Sequence, residues 1–490
     1  NGSENFPKGQ RFGTFPAVAV GWAISEEPFM ESIRKTVSFL KIRGSYGEVG
    51  NDGINSSLWS QNWESTSDKR YQGAVNGAFL PSYSLGADMA NKDLKWETTI
   101  TRNIGVDFGF FNSRLTGTID AYWNTTKDLL MKTAIPGITG FTSTYANVGQ
   151  TSNKGVEIAL QGVLVKTRDW NVTAGFNINF NRGKVDKLAD NVTGLYGTEW
   201  ATSSTFPKSD YVLKEGRPVG LVRGLTADGF YTTDDFTYEN GVYTLKKGVA
   251  DVSSAVFPNY HLHNGINERP AGQLAYPGMA KFKDLNDDGI INDDDVDVIG
   301  DMTPVHTGGF NINATYKNFD LGLYFNWSYG NEIYNVNKLA ALYGYKEGAV
   351  YENKLSIVKD CYKIYDVVNG ELVALTTLEQ LNAANANAKL PLAYSENGYV
   401  STLGIEDGSY LRLNTLTLGY TLPKSILQKA GISNLRVYGS IYNVFTITGY
   451  SGIDAEVSTS TSTKTYPQLG MDWGTYPRAR SFVLGVNLSF

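Results

Sequence analysis

The sequence predicts an all-β protein folded as an antiparallel transmembrane β-barrel, and three observations carry that prediction. Apolar and polar residues alternate over segments of about ten positions or more. The links between these segments alternate between tight turns and long polar connections. The last residues place Phe482, Leu484, Val486, Leu488 and Phe490 on one strand face and Val483, Gly485, Asn487 and Ser489 on the other. A one-sided strand that closes on an aromatic residue is what an outer-membrane barrel presents to its assembly machinery. For that segment alone, the last strand of a soluble sandwich fits as well.

About eleven strands are expected, near 12–23, 36–47, 97–110, 113–125, 154–165, 168–181, 306–317, 319–330, 408–422, 434–445 and 480–490. In the fourth, Leu115, Gly117, Ile119, Ala121 and Trp123 oppose Thr116, Thr118, Asp120, Tyr122 and Asn124. In the sixth, Trp170, Val172, Ala174, Phe176, Ile178 and Phe180 oppose Asn171, Thr173, Gly175, Asn177, Asn179 and Asn181. The seventh and eighth repeat the pattern, with Phe310, Ile312, Ala314 and Tyr316 and then Leu321, Leu323, Phe325, Trp327 and Tyr329 on the apolar side. A globular strand averages roughly five or six residues, whereas a tilted membrane crossing takes about nine to eleven. A row of Asn and Thr is costly against a dry core but suits a wet lumen. Tyr122, Trp123, Trp327 and Tyr329 sit at strand ends, where an interfacial aromatic girdle belongs. The ninth strand changes phase between Leu413 and Leu416, the mark of a bulge.

Short links fall at Asn112–Ser113, 166–169, Lys317–Asn318, 24–35 and 423–433; long ones fall near 48–96, 126–153, 182–305, 331–407 and 446–479. Periplasmic turns and extracellular loops follow this rule, so the C-terminus is expected on the periplasmic side and 182–305 as a large extracellular loop region. Single-chain bacterial barrels of this kind have an even strand number. An odd count makes residues 1–490 the expected C-terminal part of a larger barrel, with residues 1–11 the tail of a loop.

Composition narrows the function. No run of about 18 apolar residues exists, so no transmembrane helix is expected; alternating strands average out in hydropathy and are untouched by that test. The net charge is −6 and no Lys/Arg stripe appears, so nucleic acid is not an expected partner. Cys361 is the one cysteine, which excludes an intramolecular disulfide or a cysteine-based metal cluster. No nucleophile elbow, phosphate loop, dinucleotide fingerprint or zinc-protease motif is present, and no pair of acids is placed for acid/base work, so the chain does not read as an enzyme.

One motif carries ion chemistry. With Asp284 as position 1, side-chain oxygens fall at 3 (Asn286), 5 (Asp288), 9 (Asn292) and 12 (Asp295). Gly289 takes the sharp turn, Ile290 offers its carbonyl and Ile291 an apolar anchor. This spacing wraps oxygens around one point as Ca²⁺ requires, although Asp at position 12 closes more weakly than Glu. A solvated acidic turn is the alternative. His261 and His263 have no third ligand and are not read as a metal site.

Several stretches together resemble the C-terminal barrel region of the SusC/RagA-type TonB-linked outer-membrane transporters. They are Arg11-Phe-Gly-Thr-Phe-Pro-Ala-Val-Ala-Val-Gly-Trp22; Leu40-Lys-Ile-Arg-Gly-Ser-Tyr-Gly47; Leu94-Lys-Trp-Glu97 with Asn103-Ile-Gly-Val-Asp-Phe-Gly109; Asn147-Val-Gly149 with Asn153-Lys-Gly-Val-Glu157; and Phe282-Lys-Asp-Leu-Asn-Asp-Asp-Gly289 with Ile299-Gly300. The resemblance implies a plugged barrel of about 22 strands set among bilayer lipid and lipopolysaccharide. It implies import of oligosaccharides or peptides, energy through the TonB complex, a SusD-like surface lipoprotein as lid, and a dimer of transporter–lid pairs. The plug and the TonB-contacting segment would lie upstream of this chain. The 182–305 region, with Gly216-Arg-Pro-Val-Gly220, either docks the lid or packs on its own barrel. A passive porin fits the strand pattern too, but a loop of about 125 residues is excessive for a simple pore. A secreted adhesive β-protein is the third reading.

Overall fold

The computed structural model describes all residues except 55–57, 62, 67–72, 77, 81, 87, 191, 258–267, 343–354, 394–397, 429–430 and 460–467. Among the described residues, eleven strands follow one another in a single antiparallel sheet in chain order. They are β1 (Ala17–Ala23), β2 (Val37–Asn51), β3 (Glu97–Phe110), β4 (Leu115–Ala134), β5 (Ser143–Lys166), β6 (Trp170–Lys187), β7 (His306–Tyr316), β8 (Phe319–Tyr329), β9 (Tyr410–Thr421), β10 (Asn434–Thr448) and β11 (Ser481–Ser489). Each pairs with its sequence neighbour, β1 and β11 form the two edges, and Asp88–Met89 adds a short parallel contact to the start of β5. No described helix is long and apolar enough to cross a membrane.

Register shows why the alternation predicts this sheet. Directly paired residues share a face, and one such row runs Trp22, Ile42, Val106, Ile119, Ile158, Ile178, Gly308, Trp327, Leu411 across nine strands. Many side chains of this face stand open, Leu484 and Phe490 at 89% exposure, so the surface requires lipid. Aromatic pairs close the apolar band on the short-turn side, Trp170 with Tyr316 at 4.4 Å and Phe319 with Tyr420 at 4.7 Å. On the other side His306 stacks on Tyr329 at 5.0 Å.

Gly308 marks the tightest point of that row. A Cβ there would strike both the Trp327 ring and the Asn177 carbonyl. Gly308→Leu is expected to cost about 1–3 kcal/mol through overpacking, read as a lower urea midpoint for the barrel in detergent; an unchanged midpoint would mean that the ring simply swings aside.

The strands depart from expectation mainly in length. β1 begins at Ala17 rather than near 12. Residues before it are held by Phe6, which is buried with Leu94 and Trp96. β4 and β5 extend far past 125 and before 154, so the long connection expected at 126–153 is a tall hairpin joined by residues 135–142. Its register slips between Asn147 and Gly149 and again between Gly149 and Thr151, and Asp128 adopts φ +59°. β6 likewise runs to Lys187, so the large loop begins at 188 rather than 182. The phase change in β9 is a bulge: the ladder jumps between Leu413 and Thr415.

The long connections are not merely polar loops. Segments from 188–305, 330–409 and 449–480 share one hydrophobic core, built around Tyr211, Tyr231, Tyr276, Tyr334, Phe282, Leu339 and Met471. Short sheets stitch it together. Glu332–Asn335 pairs with both Ile405–Asp407 and Met471–Asp472, and Thr205–Phe206 lies parallel to Gly398–Tyr399. All three segments leave and rejoin the barrel through β6–β11, which places this loop domain over one continuous half of the sheet.

Candidate functional site

The polar face of the sheet is the first part of the site. It carries Arg43, Gly105, Asp120, Glu157, Asn179, Thr307 and Ser328 as one paired row. Charges here are matched across strands. Arg43 contacts Asp107 at 3.1 Å and Asp120 at 2.6 Å, while Asn103 Nδ2 donates to Asp120 at 3.1 Å. The Arg43 guanidinium lies flat because residue 105 is glycine: a Cβ there would come within 2.5 Å of it. Arg436 grips Asp320 through two bonds of 2.8 and 2.5 Å. Between these clusters runs an amide and hydroxyl ladder. Asn313 donates to Asn311 at 3.0 Å, Tyr324 to Asn313 at 3.1 Å and Tyr122 to Asn181 at 2.8 Å. Such a wall presents donors and acceptors to a hydrated, hydroxyl- or amide-bearing solute.

The loop domain is fastened to this wall. Arg412 on β9 is 2% exposed and reaches Asp454, Glu456 (2.8 Å) and the Thr446 hydroxyl (2.9 Å). Arg478 clasps the same two acids at 3.2 and 3.0 Å. Arg182 on β6 pairs with Asp301. Buried tyrosines brace the segments from within, and Tyr211 ties the first of them to the third. Tyr211 donates to the Leu469 carbonyl at 2.7 Å, Tyr231 to Ala250 at 2.6 Å and Tyr450 to Asp472 at 2.6 Å. Burial raises the pKa of all three well above the tyrosine norm, so they remain donors. Burial pushes Asp210 up as well, and amides of Glu199, Trp200 and Ala201 at 2.8–3.1 Å pull it back.

The segment Asp284–Asp295 forms a compact acidic loop. Asp284 accepts from the amides of Asp288 and Gly289, Asn286 from Asp288, and Asp288 from Ile290. Asn292 accepts from Asp294, and fully buried Asp295 accepts from Leu285 (2.7 Å) and Asn292 (2.8 Å). Gly289 takes φ +84°, Ile290 is exposed and Ile291 is buried in the domain core. In this conformation the carboxylates are engaged with backbone amides, and no three His, Cys, Asp or Glu among the described residues gather as a metal cluster. His261 and His263 lie outside the described residues. The Gly216–Gly220 segment returns to its own barrel, with Gly216 N and Val185 O at 2.7 Å and Val185 N and Arg217 O at 3.0 Å.

Sequence reasoning missed the anchoring role of Arg412 and the cross-strand cluster around Arg43. The available signal was their placement on the polar phase of a strand, where a charge must find a partner.

Comparison with known proteins adds the family. A family model described as "TonB dependent receptor-like, beta-barrel" matches residues 1–265. TonB-dependent receptor P3 of Formosa agariphila is 30% identical over all of this chain, which covers 43% of that protein. TonB-dependent receptor SusC of Bacteroides thetaiotaomicron is 29% identical over all of this chain, which covers 41% of it. The chain thus spans less than half the length of these relatives. A solved structure of the RagAB peptide transporter superposes with a TM-score of 0.71 over all of this chain and 45% of its own, at 24% identity. That last likeness is one of fold, and the SusC/RagA-type resemblance of the motifs agrees with all three. The chain belongs to the TonB-dependent receptor-like β-barrel family, whose barrels lie in the outer membrane.

Proposed function

We propose that this chain forms the C-terminal barrel part of an outer-membrane importer. It would take up oligosaccharides or peptides, draw energy through TonB and work with a SusD-like lipoprotein lid. The observation that carries the reading is the polar wall standing beneath a folded loop domain. A passive pore needs the wall alone. In this reading the short turns and the end of β11 face the periplasm, the long loops face outward, and β1 and β11 pair with further strands that close the barrel. Relatives point the same way: SusC is named a TonB-dependent receptor and RagAB a peptide transporter. The test is uptake of labelled oligosaccharides and peptides by cells carrying the complete receptor, with and without TonB. Uptake that persists unchanged without TonB would turn the reading towards a porin.

We also propose one Ca²⁺ on the loop, taken by Asp284, Asn286, Asp288, the Ile290 carbonyl, Asn292 and Asp295. The buried Ile291 anchor and the left-handed Gly289 support this, since both hold the loop in a turn that needs only carboxylate rotation to face an ion. Calcium at 1,000 times its dissociation constant would add about 4 kcal/mol to loop-domain stability. Titration calorimetry of the wild type against Asp284→Ala/Asp288→Ala checks it, and identical blank titrations would remove the ion from the account.

A further inference from the structure

A second site lies on the outer surface of the loop domain. A cleft of about 500 Å³ opens between the 203–209 turn, the strand Leu221–Leu225, residues 254–256 and Asp293. Its chemistry is cationic and hydroxylated. Arg223 enters from the strand half-buried, stacks over Tyr196 at 4.8 Å and donates to the Ser209 hydroxyl at 2.8 Å. Among the described residues no carboxylate lies within ion-pairing distance of its guanidinium. Burial lowers its pKa, and the nearby Tyr196 hydroxyl and Asp293 carboxylate only partly compensate. Arg182 and Arg412, which tie the domain to the barrel, each have an acid against them. Lys208 stands exposed on the cleft lining, and Ser203, Ser204 and Ser254 add hydroxyls.

We infer that this cleft binds an acidic oligosaccharide, with its oxyanion against Arg223 and Lys208. A half-buried guanidinium with no carboxylate at ion-pairing distance is costly to hold and gains strongly when an anion arrives. Two cations against the single Asp293 leave the cleft net positive. The serines and Asp293 offer acceptors and donors for sugar hydroxyls on the remaining surface. A peptide side chain would find no apolar recess, because Phe206 and Val256 on the lining are held in the domain core. The oxyanion is a uronate carboxylate or a sulfate ester, both of which present oxygens to a guanidinium fork.

This inference rests on the reading that the loop domain meets the ligand, but its test needs no transport. The complete receptor, purified in detergent, is titrated with trigalacturonate, a sulfated trisaccharide, neutral maltotriose and an acidic tripeptide. Binding of one or both acidic sugars in preference to maltotriose is expected, and their relative affinities separate carboxylate from sulfate. Arg223→Gln should weaken binding about tenfold or more, and Lys208→Gln by a smaller factor of about three. Lys208 has no hydrogen bond or ion pair among the described residues, so its replacement leaves the fold intact. Equal affinity for maltotriose, preference for the tripeptide, or wild-type affinity in Lys208→Gln overturns the inference. Loss of energised uptake with this binding intact would instead count against the importer reading alone.

Discussion

Arg412→Ala is expected to destabilise the junction between barrel and loop domain by about 3–5 kcal/mol. The guanidinium is almost fully enclosed and faces Asp454, Glu456 and Thr446. Its removal leaves Asp454, whose side chain is 6% exposed, with the half-exposed Arg478 as its remaining cation and the Glu456 amide as a donor. The cost comes less from the lost attraction than from an acid left out of water without its fork. Arg412→Lys should not rescue it, since a compact ammonium cannot reproduce the planar, spread fork that meets Asp454, Glu456 and Thr446 at once. The double variant Arg412→Met/Asp454→Asn should regain part of the loss, because both buried charges are gone and Glu456 keeps Arg478. Urea unfolding in detergent, followed by electrophoresis of unheated samples, measures all three. A loss below about 1 kcal/mol in the alanine variant would mean that water already reaches the pair.

Phe282→Ala should act on the loop domain and spare the barrel. Phe282 is 2% exposed, stacks with Phe257 at 6.4 Å and meets the edge of Tyr399 at 5.0 Å. Truncating such a ring costs about 3–5 kcal/mol. The three segments of the domain share this core, so their packing should loosen together. Brief proteolysis should then cut within 188–305, 330–409 and 449–480, while the barrel keeps its heat-modifiable mobility. Cleavage confined to one segment would show that the core is less cooperative than its contacts imply.

The barrel was legible because its information is local. Alternation within each strand, as in Trp170–Asn181, states both the conformation and the face. The order of strands then follows from neighbour pairing, and the count of eleven agrees with the sheet. The upper parts of β4 and β5 escaped for a physical reason. Two register slips near Gly149 and the left-handed Asp128 break the period that makes a strand visible. The bulge in β9 was seen because Leu413 and Leu416 lie on either side of a single slip. The loop domain was not legible at all. Its aromatic residues, Tyr211, Phe282 and Tyr334 among them, are scattered over more than one connection and form a core only in three dimensions. Read one at a time, they look like girdle or ligand-stacking residues. Asp284–Asp295 was visible as a pattern, but sequence could not say that its carboxylates would be satisfied by backbone amides.

The roots of the loop domain set what it can do mechanically. Three segments depart from six adjacent strands, and clasps such as Arg182 with Asp301 tie them back. A body held at so many points has no single hinge about which to swing. It behaves as a stator, fixed over its half of the rim. An element that closed above such a rim would have to swing against it, and the fixed surface would then set the angle and register of its closure.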